Sequence, residues 1–140
     1  MALTQAQVDH YLDHINLPHE IRQALAKGPN HEDALEAVTA LQRHHLDRVP
    51  FENLDLVYSA HHSLPADTAH VYEHVVIKSR GGVCDQIHQL FAKLLRHFGF
   101  PVYCTGARIN AAAGILAGRD MDRSKLNYSP WYFPTLPCIY

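Results

Sequence analysis

The stretch Arg80-Gly81-Gly82-Val83-Cys84-Asp85-Gln86-Ile87-His88-Gln89-Leu90-Phe91-Ala92-Lys93-Leu94-Leu95-Arg96-His97-Phe98-Gly99 decides how the chain is read. Two glycines break the chain. From Cys84 onward Ile87, Leu90, Phe91, Leu94, Leu95 and Phe98 recur at the spacing of a helix with one buried face. Gly99 suits the position just past a helix end, and Pro101 follows it. A helix over 84–98 is therefore expected, with its cysteine in the first turn. Unpaired backbone N–H groups and the positive end of the helix dipole favour thiolate over thiol there, and thiolate is the nucleophile of acyl transfer. The paired glycines permit a tight turn and let a substrate approach the backbone, while Arg80 adds positive charge. The same spacing also fits a small residue buried at a helix start.

Upstream, Thr4 can cap a first helix whose apolar stripe is Val8, Leu12 and Ile15, with Pro18 at its end. A second helical piece, 21–26, stops at Gly28-Pro29. Asn30 reads as the cap of a third helix, with Glu32 and Asp33 in its first turn. Ala34, Leu35, Val38, Leu41 and His45 follow at helical spacing to about residue 47, and Pro50 ends it. Leu54, Leu56 and Tyr58 alternate with polar groups, so 54–77 reads as extended and loop-like, apart from a short helix over 68–77. Residues 101–109 read as a strand. After Asn110 the character changes to small residues, then charged ones, then a proline- and aromatic-rich segment without period, an irregular tail over 111–140.

A length of 140 residues fits one domain, or one and a part. With 47% apolar residues, 19% charged and a net charge of -2, the chain has the composition of a soluble globular protein and no nucleic-acid surface. No basic region followed by an apolar run opens it, and no apolar stretch could span a membrane, so a cytoplasmic protein with reduced thiols is expected. The three cysteines, Cys84, Cys104 and Cys138, are odd in number and lack a C-x-x-C pair, which points to free thiols. Histidine is abundant, with 12 residues, the last being His97. The adjacent pairs His44-His45 and His61-His62 would point about 100° apart on a helix and do not converge on an ion. Solvent-facing histidines and no metal are the expectation.

A second segment, Arg48-Val49-Pro50-Phe51-Glu52-Asn53-Leu54, together with Arg80-Gly81-Gly82-Val83-Cys84 and Gly106-Ala107-Arg108-Ile109, resembles the arylamine N-acetyltransferase family over roughly residues 3–109. The resemblance implies an α+β chain. An N-terminal helical bundle over 1–53 would lead into a connecting segment, the nucleophile helix and the first strand of a cysteine-protease-like catalytic core over 54–110, with the β-barrel and lid largely missing. It implies a Cys-His-Asp triad and ping-pong transfer of acetyl from acetyl-CoA to an arylamine or arylhydrazine, without a metal. By motif position Cys84 matches the acetylated nucleophile. Arg80 matches the arginine that pairs with Glu52, supporting the loop Gly81-Gly82, and Phe51, with Val83, falls at the acceptor pocket. A core contact for Phe51, and solvent exposure for Glu52 and Arg80, remain the plainer alternatives.

The family's triad histidine should follow the cysteine by some tens of residues, yet none follows His97. Gln86, His88 and Val83 stand where the family usually has Glu, Asn and an aromatic residue. The expectation is a truncated member with little or no activity of its own. A non-catalytic helical module that self-associates through exposed apolar surface is the second reading, and a cysteine protease the third.

Overall fold

The computed structural model describes the backbone of residues 2–110 and 128–139, and side chains through Thr105. Among these described residues, six α-helices, a π-helical turn and a two-stranded antiparallel ribbon follow in chain order: α1 Gln5–His14, α2 His19–Ala26, α3 Ala34–Arg48, α4 Leu54–Tyr58, α5 Thr68–Tyr72, the π-turn Glu73–Ile77, α6 Cys84–His97, β1 Val102–Asn110 and β2 Tyr128–Ile139.

Local chemistry explains most of the boundaries. Thr4 caps α1 by accepting from the Gln7 N–H, while the Gln7 side chain accepts from the Thr4 N–H at 2.9 Å, a reciprocal box. Past α6, Gly99 has φ +81, a left-handed conformation that glycine adopts without strain. It lets Gly99 N–H reach the Arg96 carbonyl at 3.0 Å and Phe100 N–H reach Leu95 at 3.1 Å, closing the helix end. Helix α3 begins at Ala34 with Asp33 at its cap position, three residues later than a cap at Asn30 would place it, because 29–33 is spent in turns.

Three readings of the sequence are corrected. Residues 54–58 form a helical turn rather than an extended segment, although α4 buries none of its residues. Its alternating pattern is therefore not a core pattern. The expected irregular tail is a strand over 128–139, paired with β1 from Val102↔Ile139 to Asn110↔Tyr128 and shifted in register on either side of Ala107 and Arg108. A two-stranded ribbon leaves one edge of each strand unpaired, which is where prolines such as Pro130, Pro134 and Pro137 are tolerated. The rest of that tail, 111–127, lies outside the described residues. Third, Leu35 faces solvent, at 80% exposure, despite its place in the α3 pattern.

One hydrophobic cluster runs from Leu3 to Phe100. Helix α6 is its axis: Ile87, Leu90, Phe91, Leu94 and Leu95 are all buried, each side chain worth roughly 1.5–3 kcal/mol on leaving water. Helix α2 packs on α3, α5 on α6, and α1 on the π-turn. His45 sits in this core, against the expectation of solvent-facing histidines. It is 3% exposed, its Nδ1 is hydrogen-bonded to the buried Tyr11 hydroxyl, and its ring lies 4.7 Å from that of Phe91. Burial, with the neighbouring His88, pushes the His45 pKa down to about 4.

A neutral buried imidazole makes stability depend on pH. Between the ordinary value near 6.5 and about 4, the unfolded chain binds a proton at His45 that the folded chain refuses. Stability from this group is fully present above pH 6.5 and declines as pH falls through that window, by about 3 kcal/mol in all. Urea unfolding at pH 7 and pH 4.5 measures it, and His45→Leu should flatten the acid-side loss relative to the unsubstituted protein.

Candidate active site

Cys84 is the first residue of α6, half-buried, following Val83 in extended geometry with φ -79 and ψ 160. The Val83 side chain offers no acceptor for the helix N–H groups, and Gln86 serves the helix start instead. Its Oε1 accepts from Val83 N–H at 3.2 Å, and its Nε2 donates to the Pro65 carbonyl at 2.6 Å. Gln86 is buried. A glutamate at this position could accept from Val83 but could not donate to Pro65, so the amide fits this loop where a carboxylate does not.

The loop before Cys84 is fastened to the segment after α3. Gly82 N–H donates to the Pro50 carbonyl at 3.2 Å and Glu52 N–H to the Gly82 carbonyl at 3.0 Å, a parallel bridge centred on Phe51 and Gly82. The contact is so close that a Cβ on Gly81 would lie 1.8 Å from the Pro50 oxygen. Two motifs 30 residues apart in sequence are thus one structural unit, and residue 81 must be glycine for them to meet.

Charge reinforces the backbone. Arg80 Nη2 lies 2.7 Å from Glu52 and Nη1 3.0 Å from Asp55. His74 Nε2 is 3.4 Å from both carboxylates. Burial alone would raise the Asp55 pKa, but the hydrogen bond and charge of Arg80, with His74 and His61, hold it below the usual carboxylate value. The two carboxylates more than offset the effect of burial on Arg80, whose pKa is raised. The plainer alternative of solvent-exposed Glu52 and Arg80 does not apply, since their side chains are 17% and 32% exposed and are paired.

Phe51 is 63% exposed, so it is no core contact, and Val83 is half-buried. Side chains from Gly106 onward, Arg108 included, lie outside the described residues. Sequence reasoning missed Asp55 and His74. The signal for Asp55 was its place three residues after Glu52 in the same short segment; His74 follows His70 by four residues, the spacing of one helical face. Glu52, Asp55, His70, His74, Gly81, Gly82 and Gln86 line a small cleft of about 10 Å³ beside the loop.

Residues 34–124 match the family model described as N-acetyltransferase. An N-malonyltransferase of Fusarium pseudograminearum is 35% identical over 114 residues, covering 78% of this chain and 33% of that protein. A pineal gland arylamine N-acetyltransferase of Gallus gallus is 32% identical over 95 residues, covering 68% of this chain and 32% of its own. The arylamine N-acetyltransferase of Bacillus cereus, described as having a Cys-His-Glu catalytic triad, superposes with a TM-score of 0.55 at 19% identity, over 80% of this chain and 39% of that one, a likeness of fold. A chain with the Pro-Phe-Glu-Asn segment strapped to an Arg-Gly-Gly-x-Cys helix start, and matched by this model over most of its length, belongs to a class of acyl-transferring enzymes. It is a member of the N-acetyltransferase family that includes the arylamine enzymes. It spans about a third of the length of the curated relatives it matches.

Gly81→Ala should cost roughly 2–4 kcal/mol of stability, because the obstructing atom is backbone and the strap must open. Denaturant unfolding checks this. Gln86→Glu should cost about 1–3 kcal/mol by leaving the Pro65 carbonyl unpaired beside a new charge, and should lower the melting temperature without altering helix content by circular dichroism.

Proposed function

We propose that this chain carries the nucleophile of an arylamine N-acetyltransferase-type enzyme, which moves acetyl from acetyl-CoA to an arylamine or arylhydrazine through a thioester on Cys84. The observation that carries the reading is the position of Cys84: half-buried, on the first residue of a 14-residue helix, directly after a loop strapped to Pro50–Glu52. Cys84 Sγ attacks the acyl carbonyl, the thioester forms, and CoA leaves as its thiol with the proton that Cys84 gives up. The amine then attacks the thioester, the N–acyl bond forms, and Cys84 recovers a proton from the amine.

In this reading Phe51 and Val83 line the acceptor side. Arg80, Glu52, Gly81 and Gly82 act through position, holding the Cys84 loop in register. The relatives of Fusarium pseudograminearum and Gibberella moniliformis named N-malonyltransferases make malonyl-CoA the second donor to try. The setting is cytoplasmic conjugation of foreign amines. No histidine follows His97, and general-base assistance is worth about 10²–10⁴-fold. These 140 residues by themselves therefore turn over slowly or not at all. A second reading, a helical module that associates with itself, is favoured by Phe51, Val57, Tyr58 and Ile77, each more than half exposed.

An activated ester such as p-nitrophenyl acetate tests the nucleophile without needing a CoA surface. Mass spectrometry of a stoichiometric reaction should find acetyl on the Cys84 peptide ahead of Cys104, and none there in Cys84→Ala. Equal labelling of the two thiols would remove the catalytic reading and leave the second, which sedimentation would register as concentration-dependent mass.

A further inference from the structure

We propose that Asp55, His70 and His74 form a binding site for one divalent first-row transition-metal ion, of which Zn²⁺ suits two imidazoles and a carboxylate best. One ligand atom from each of the three lies within 4.8 Å of the other two, and all three residues are half-buried. The site stands apart from the role of Cys84 and does not depend on it.

The backbone places these groups together. His70 and His74 are four residues apart, so they project from one face where α5 passes into the π-turn. Their ring centroids are 5.4 Å apart. π-helical turns of this kind frequently occur at functional sites. Asp55 reaches the same point from α4, across the cleft that Glu52, His70 and His74 also line. Ligand atoms about 2.0–2.1 Å from a tetrahedral ion lie about 3.3 Å from one another. His74 Nε2 and Asp55 Oδ2 are 3.4 Å apart, already one edge of that tetrahedron. Rotation of His70 about its side-chain bonds supplies the third vertex, leaving the fourth for water or an incoming group.

The surrounding charges fit. Arg80 holds Asp55 through Oδ1, at 3.0 Å, which leaves Oδ2 turned to the imidazoles. That is the arrangement of an outer partner orienting a ligating carboxylate. Glu52, 3.4 Å from His74 Nε2, offsets the charge of Arg80, so the group keeps net negative charge for a cation. Bound there, the ion would tie α4 and the π-turn to the Arg80 clamp and hence to the loop before Cys84. Among the described residues, the other grouping of this kind is His31, Glu32 and Asp33. Those three are consecutive in sequence, two of them are exposed, and His31 lies 3.4 Å from Asp33.

The test is titration of the full chain with Zn²⁺ against a chromophoric chelator. One equivalent should bind with a dissociation constant below about 100 µM, and His70→Ala should weaken it at least about tenfold, since loss of even an outer partner costs that much. His31→Ala should change nothing. Weaker binding than that limit, or binding unaffected by His70→Ala, overturns the site. Should His70→Ala fold poorly, imidazole NMR of the unsubstituted protein decides. Zn²⁺ must perturb the His70 and His74 rings first, and perturbation confined to other histidines also overturns it.

Discussion

The Pro50 carbonyl occupies the space that a side chain on residue 81 would need, and the rest of the site depends on that close approach. Backbone bonds from Gly82 to Pro50 and from Glu52 to Gly82 become possible only when the two strands touch. Once they do, Glu52 and Arg80 are brought side by side, and the position of Cys84 is fixed relative to the helical core. A steric vacancy at one residue is converted into hydrogen bonds, then an ion-pair network, then the placement of a thiol.

The network differs from a simple pair. Arg80 is shared between two carboxylates, and His74 approaches both. Half-buried ions need more than one partner to replace lost hydration. The doubling gives the guanidinium that replacement, and it joins four segments of the chain: the turn after α3, helix α4, the π-turn and the loop before α6.

Much of this was legible in the sequence because the signals are local. The stripe Ile87–Leu95 states the period of α6, Gly99 its end, and Thr4 the start of α1. The Glu52–Arg80 pairing could be expected from resemblance. What could not be read depends on contacts between distant segments. His45 has the spacing of a core residue, but only the presence of Tyr11 and Phe91 makes its burial tolerable. Gln86 looks like a lost charge until Pro65 is seen to require a donor. Helix α4 shows an alternating pattern because it faces no core, so no helical period is imposed on it. Strand β2 hides behind its prolines, since pairing along one edge demands little of the sequence.

Helix α4 carries a consequence of its own. Five residues cannot sustain a helix by propensity, because the first turn fixes several backbone angles for a single hydrogen bond. With no buried side chain to hold it, α4 is tethered at Asp55 by Arg80 and His74. Such tethers are screened by dissolved salt in a way that packed side chains are not. The folded order of this segment is therefore a function of ionic strength, and its amides should exchange with solvent on a schedule set by salt while those of α6 ignore it.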